Sequence, residues 1–192
     1  TIDNWKEIAP VGLWASLAHA FSVLALGAGA VSFGQIVKAA EPVFAAGTNA
    51  VLLGQIDHPV VYLALLPIIG GVGLASLKEL SFSVTALVAA SLANQAAALK
   101  NVVSKGVMSK SWAKNLGPSN TYAVVNILAL LFTIPFVLAF DLKDAGAVMD
   151  QVKAMGTGND VVKYSALSGL AFYIYNEASF LALSKLDAVS HS

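Results

Sequence analysis

The chain has 192 residues, of which 57% are hydrophobic and 11% charged; 11 lysines and no arginines face 11 acids, and there is no cysteine. Soluble domains carry about 25% charged residues, so this chain has too little polar material to cover a surface in water, and its mean hydropathy of +0.74 places it in lipid. Zero net charge removes any argument for a nucleic-acid partner, and the lack of cysteine excludes disulfides and thiolate metal sites.

A bilayer core of about 30 Å takes about 20 apolar residues per helix, and six stretches qualify as expected spans: 9–27, 31–53, 59–76, 82–104, 119–140 and 162–184. The opening TIDNWKE is neither a signal nor a transit peptide. Without an initiator methionine the chain is expected to be processed or a fragment. The first span carries Pro10 and Trp14, and the run Gly27-Ala28-Gly29-Ala30 should break it, since each glycine costs a helix about 1 kcal/mol relative to alanine. The second span holds Lys38, Glu41 and Pro42, and Gln55–Pro59 reads as a polar turn. In the third, Gly70, Gly71 and Gly73 read as a face for close helix packing rather than a ligand loop. A charged turn over 77–80 leads to the alanine-rich fourth span, with Asn94, Gln95 and Lys100. A basic loop follows, SKGVMSKSWAKNLGPSN, then the fifth span. Residues 141–160 read as an amphipathic surface helix ending at Gly156, and the sixth span contains Tyr173, Tyr175, Asn176 and Glu177. The lysines between spans divide almost evenly, so the positive-inside rule assigns no orientation. An echo between 24–33 and 181–191 hints at an internal repeat.

Between Ile8 and Gln55 only Lys38 and Glu41 are charged. A lysine at mid-bilayer costs about 2.5–3.5 kcal/mol on insertion scales, which makes it a functional candidate. Lys38 and Glu41 are three apart, so an internal ion pair is the structural alternative. A residue before proline is pushed out of helical geometry, so a kink at Glu41-Pro42 is expected to aim polar groups toward a cavity. His19 and Ser22 share a helix face: His19 is either a bonded core imidazole or a site residue, and Ser22 either back-bonds to its own helix or faces a ligand. Lys100 either snorkels to the interface or holds an anion. Tyr175 either bonds a neighbouring helix or lines a site. No HExxH, P-loop or dinucleotide fingerprint is present, so no enzyme residues, cofactor or metal site are nominated.

Four segments then carry a family resemblance. VSFGQIVKAAEP (31–42) resembles VSFTHxIKxxEP of the plastid triose-phosphate/phosphate translocators, within the drug/metabolite transporter superfamily. PIIGGVGLASLKELSF (67–82), KNVVSKGVM (100–108) and YNEASFLALSKLDAVSHS (175–192) resemble PxxxGVxxASLTELSF, RNxxSKKxM and YNQxxxxxLxxxxPxTHS in the same order. The resemblance implies an all-α, multi-pass bundle of ten helices in two inverted halves, with residues 1–80 from one half and 81–192 from the other. It implies a plastid envelope antiporter that exchanges inorganic phosphate for phosphorylated C3 compounds or related sugar phosphates. By the same resemblance Lys38 holds phosphate, and His19, Ser22 and Tyr175 bond substrate oxygens. Ser22 stands where the family has threonine, and Lys100 where it has arginine.

The chain also departs from the family. Gly34-Gln35 replaces a Thr-His pair, and a proline is missing near Asp187-Ala188. The family's Lys-Arg pair would fall beyond Ser192, so the chain is expected to be a fragment or a degenerate copy that would not transport alone. Expected partners are phosphate, a phosphorylated small molecule and the bilayer; oligomeric state is open. The alternatives are a nucleotide-sugar transporter of the same superfamily and a non-transporting membrane scaffold.

Overall fold

The computed structural model describes residues 2–54, 56, 58–79, 82–141, 145–154 and 158–185. Every regular element among them is helical: α1 (Ile2–Gly27), α2 (Val31–Lys38), α3 (Glu41–Leu53), α4 (Pro59–Lys78), α5 (Val84–Met108), α6 (Ser111–Leu116), α7 (Pro118–Phe136) with a π-turn at Val137–Asp141, α8 (Ala145–Ala154) and α9 (Gly158–Leu183). The protein is an all-α, multi-pass helical bundle.

Helix ends follow local chemistry. α1 stops at Gly27, and Ala28–Ala30 are non-helical, as the glycines there require. α2 and α3 are separated at Ala39-Ala40, and Pro42 sits in the first turn of α3, where its missing N–H has no helical partner to lose. Gly54 closes α3 at φ 63°, a left-handed conformation that glycine adopts without steric cost. The Ser83 hydroxyl caps α5 by accepting from the Ala86 N–H at 3.2 Å. In α7, Pro135 removes one backbone donor just before the π-turn.

α5 is the centre of the bundle. α1 runs antiparallel along it, and α2, α3 and α6 also contact it, while α7 packs on α1 and α9 packs on α7. Two apolar clusters pin the α1–α5 pair. One gathers Ile8, Val11 and Ala15 of α1 with Val107 of α5, Ala113 of α6, and Val125 and Ala129 of α7. The other gathers Ala25 of α1, Phe33 and Val37 of α2, and Ala86, Ala89 and Ala90 of α5. The alanines let the backbones approach closely, the usual device of membrane helix pairs. Gly12 does the same against α7: a Cβ there would lie 2.6 Å from Leu128 Cβ. Ser16 and Thr133 add a hydroxyl–hydroxyl bond of 2.8 Å across that α1–α7 seam.

Four sequence expectations change. Among the described residues, four stretches are long and apolar enough to cross a membrane, not six: Asn4–Gly27, Val31–Leu53, Pro59–Lys78 and Pro118–Ala139. α5 and α9 are long enough, at about 37 and 39 Å, but fall short in apolarity. In α5 the cause is plain: Asn94, Asn101 and Ser104 face protein and not lipid. α1 also starts well before residue 9. Its polar first turns hold because Glu7 accepts from Trp112 Nε1 at 2.8 Å and pairs with Lys110 at 2.6 Å. That pairing explains the third change: the basic stretch after span four is not a loop, since α5 runs on to Met108 and α6 folds over Ser111–Leu116. Fourth, Gly70, Gly71 and Gly73 meet open space rather than a packing partner, because α4 packs chiefly on α2 and α3, reaches the second apolar cluster through Val72 and buries only Leu65. The surface helix appears as α8, exposed along its length; its expected end at Gly156, and the part of the repeat echo beyond Lys185, lie outside the described residues.

Candidate functional site

The two apolar clusters leave a gap between them. In α1 the gap runs from Ala18 to the turn that carries Ala25, and in α5 it spans Ala93 to Asn101. A cavity of about 360 Å³ fills it. Each long helix presents one stripe at helical spacing: Ala18, His19, Ser22, Val23 and Leu26 from α1; Ala93, Asn94, Ala97, Lys100 and Asn101 from α5; Phe172, Tyr175, Asn176 and Ser179 from α9. The break between α2 and α3 supplies Lys38 and Glu41.

All five residues singled out in the sequence border this one cavity: His19, Ser22, Lys38, Lys100 and Tyr175. They come from four helices. His19 lies eight residues, or about 12 Å, before the end of α1, so the cavity is deep along the helix. Its ring stands edge-on to Phe172 at 5.2 Å between centroids. The Ser22 hydroxyl donates to the Ala18 carbonyl at 2.7 Å, the back-bond that was its structural alternative, so only its lone pairs remain for a ligand. Tyr175, 67% exposed, stands at the rim.

Lys38 is the last residue of α2 and Glu41 the first of α3. Each therefore sits at the favourable end of its own helix dipole, cation at a C-terminus and carboxylate at an N-terminus. Lys100 and Asn101 of α5 line the same cavity as Glu41. What the sequence offered as a pair three apart is thus a cluster of two amines and one carboxylate. The Asn94 amide fixes this corner by donating to the Val37 carbonyl at 2.8 Å, and Gln95 secures α3 by donating to Thr48 Oγ1 at 2.9 Å. A second space of about 50 Å³ shares His19, Lys100, Asn101, Asn176 and Ser179 and ends on Tyr122 and Asn126. Larger grooves of about 720 and 760 Å³ lie along α9 and between α1 and α5, but they are open surface with no comparable convergence of charge.

Sequence reasoning passed over Asn101 and Ser179 and gave Glu41 only a structural role. The signal was available in the spacing: 94, 97 and 101 share a face with Lys100, and 172 and 179 share one with 175 and 176. The Gly34-Gln35 departure does not touch the cavity.

This arrangement has the chemistry to hold an anion without covalent steps, since two amines outnumber one carboxylate and hydrogen-bonding side chains surround them. The family model of the Triose-phosphate Transporter family matches residues 1–192. The chain belongs to that family. Among curated relatives, a glucose-6-phosphate/phosphate translocator of Arabidopsis thaliana is 29% identical over all of this chain and 48% of its own length. A phosphoenolpyruvate/phosphate translocator of Oryza sativa subsp. japonica is 31% identical over 100% of this chain and 48% of its own. A triose phosphate/phosphate translocator of Zea mays is 32% identical over 97% and 45%. This Triose-phosphate Transporter family chain spans about half the length of the curated relatives it matches.

Proposed function

We propose that this chain forms the substrate-binding part of a plastid envelope antiporter that exchanges inorganic phosphate for phosphorylated C3 compounds. Lys38 carries the phosphate as a point charge. Lys100 neutralises a second anionic group, His19 and Tyr175 donate to substrate oxygens, and Ser22 accepts through its lone pairs. The observation that supports this most is the convergence of Lys38, Lys100 and His19 on one cavity deep between α1 and α5. Relatives named as chloroplastic phosphate translocators support the exchange of phosphate and the location. Those relatives are named for three different partner compounds; the volume of about 360 Å³ favours the two C3 compounds over the hexose phosphate, since it lies at the low end of the ~300–1,000 Å³ common for small-molecule sites.

The test is exchange of labelled phosphate in liposomes reconstituted with the full-length gene product. Removing a charge-assisted contact costs about 1.5–3 kcal/mol, so Lys38→Ala should slow exchange about 10–150-fold. Exchange at the wild-type rate would sink the proposal, and inhibition by nucleoside monophosphates but not triose phosphates would favour a nucleotide-sugar carrier.

A further inference from the structure

Three buried polar atoms among the described residues have no hydrogen-bond partner: Asn49 Oδ1, Asn94 Oδ1 and Ser104 Oγ. Only Asn94 borders the cavity. Its side chain is fully buried at 0% exposure, and its amide nitrogen is committed to the Val37 carbonyl at 2.8 Å. That bond also settles which way the amide points, because the flipped form would set two carbonyl oxygens against each other. The remaining oxygen is a strong acceptor for which the described residues supply no donor. A buried acceptor left in that state is costly, and the usual resolution is a donor from outside the chain.

We infer that Asn94 Oδ1 is a selectivity element that accepts a hydrogen bond from a carbon-borne hydroxyl of the transported compound. The inference rests on the exchange reading above and deepens it. Lys38 and Lys100 account for the anionic groups of a phosphorylated compound, and neither distinguishes a hydroxylated carbon chain from a bare one. An acceptor with no other partner does. A compound with a hydroxyl satisfies the oxygen, whereas one without leaves it stranded and desolvated. Sites built around such a bond reject the analogue that lacks the group far better than apolar sites reject an extra methylene. The competing donor is the Lys38 amine, which borders the same cavity; a bond from Lys38 to this oxygen would remove any preference for the hydroxyl.

The experiment compares counter-exchange of labelled phosphate for 3-phosphoglycerate with that for 3-(phosphooxy)propanoate, which has the same skeleton without the C2 hydroxyl. In the wild-type protein the hydroxylated compound should be preferred by about tenfold or more in apparent affinity. Equal affinities would overturn the inference with no variant needed. In Asn94→Leu, which keeps the volume and loses both polar atoms, the preference should shrink to less than about threefold. Taking the ratio within each protein cancels any general loss from the severed Val37 bond. An undiminished ratio in Asn94→Leu would also overturn the inference. Phosphate homo-exchange by the wild-type protein separates the two readings: if it is absent the exchange proposal itself fails, and if it is present with no hydroxyl preference only the role of Asn94 does.

Discussion

α1 and α4 are alike on paper. Both are apolar enough to cross a membrane, and both have an internal proline and glycines. α4 is the more apolar, yet 6% of its most apolar window is buried, against 33% for α1. The difference lies in where small and polar residues fall. In α1, Gly12 admits Leu128, Ser16 bonds Thr133, and His19 and Ser22 face a cavity. In α4 the glycines face nothing, and Ser76 returns its proton to its own helix at the Val72 carbonyl. Apolarity brings a helix into lipid; side chains that need partners decide what it packs on.

That contrast is open to direct attack. The largest effect should come from charge. Lys100→Ala, in the cavity, should lower phosphate exchange in liposomes about 10–150-fold, whereas Lys78→Ala, at the end of α4, should change it by less than about twofold. Equal losses would mean that the cavity does not set the rate. Packing comes next. Gly12→Val should overpack the α1–α7 contact and cost about 1–3 kcal/mol, read as earlier thermal unfolding in detergent. Gly71→Val has space around it and should stay near the helix-propensity range of about 0.5 kcal/mol. Ser16→Ala should cost about 0.6 kcal/mol, the average for interhelical bonds in membranes. The smallest effect is expected at the site itself: Ser22→Ala should slow exchange less than about threefold, because the Ser22 proton is already spent on Ala18. A tenfold loss there would show that the hydroxyl turns to the ligand.

The legible features were those in which one residue forces the backbone. Gly27 and Gly29 announced the end of α1, and Glu41-Pro42 announced a kink inside the second span, where the helix in fact breaks at Ala39-Ala40 and leaves Lys38 at the end of α2. Polar groups in apolar runs drew notice because they are costly wherever they face, but for His19, Ser22, Lys100 and Tyr175 the structural alternative stayed open, and the family resemblance was what joined them with Lys38 as one site. What stayed hidden depends on contacts far apart in the chain. α6 folds because Trp112 and Lys110 meet Glu7, and a basic, glycine-ended stretch looks like a loop without that partner. Asn94 was read as a polar residue inside an alanine-rich span, and only the fold shows it buried in the helix on which α1, α2 and α3 pack. Asn94 was visible as a residue but not as a site, since its meaning lies in the oxygen left over after Val37 is served.

The interruption at Ala39-Ala40 has a mechanical consequence. Lys38 travels with the eight residues of α2, and Glu41 with the thirteen of α3. The joint between them holds no side chain larger than a methyl. The two charges that frame the cavity are therefore mounted on separate helices, and each helix is fastened to α5 by its own side-chain bond, α2 through Asn94 and α3 through Gln95.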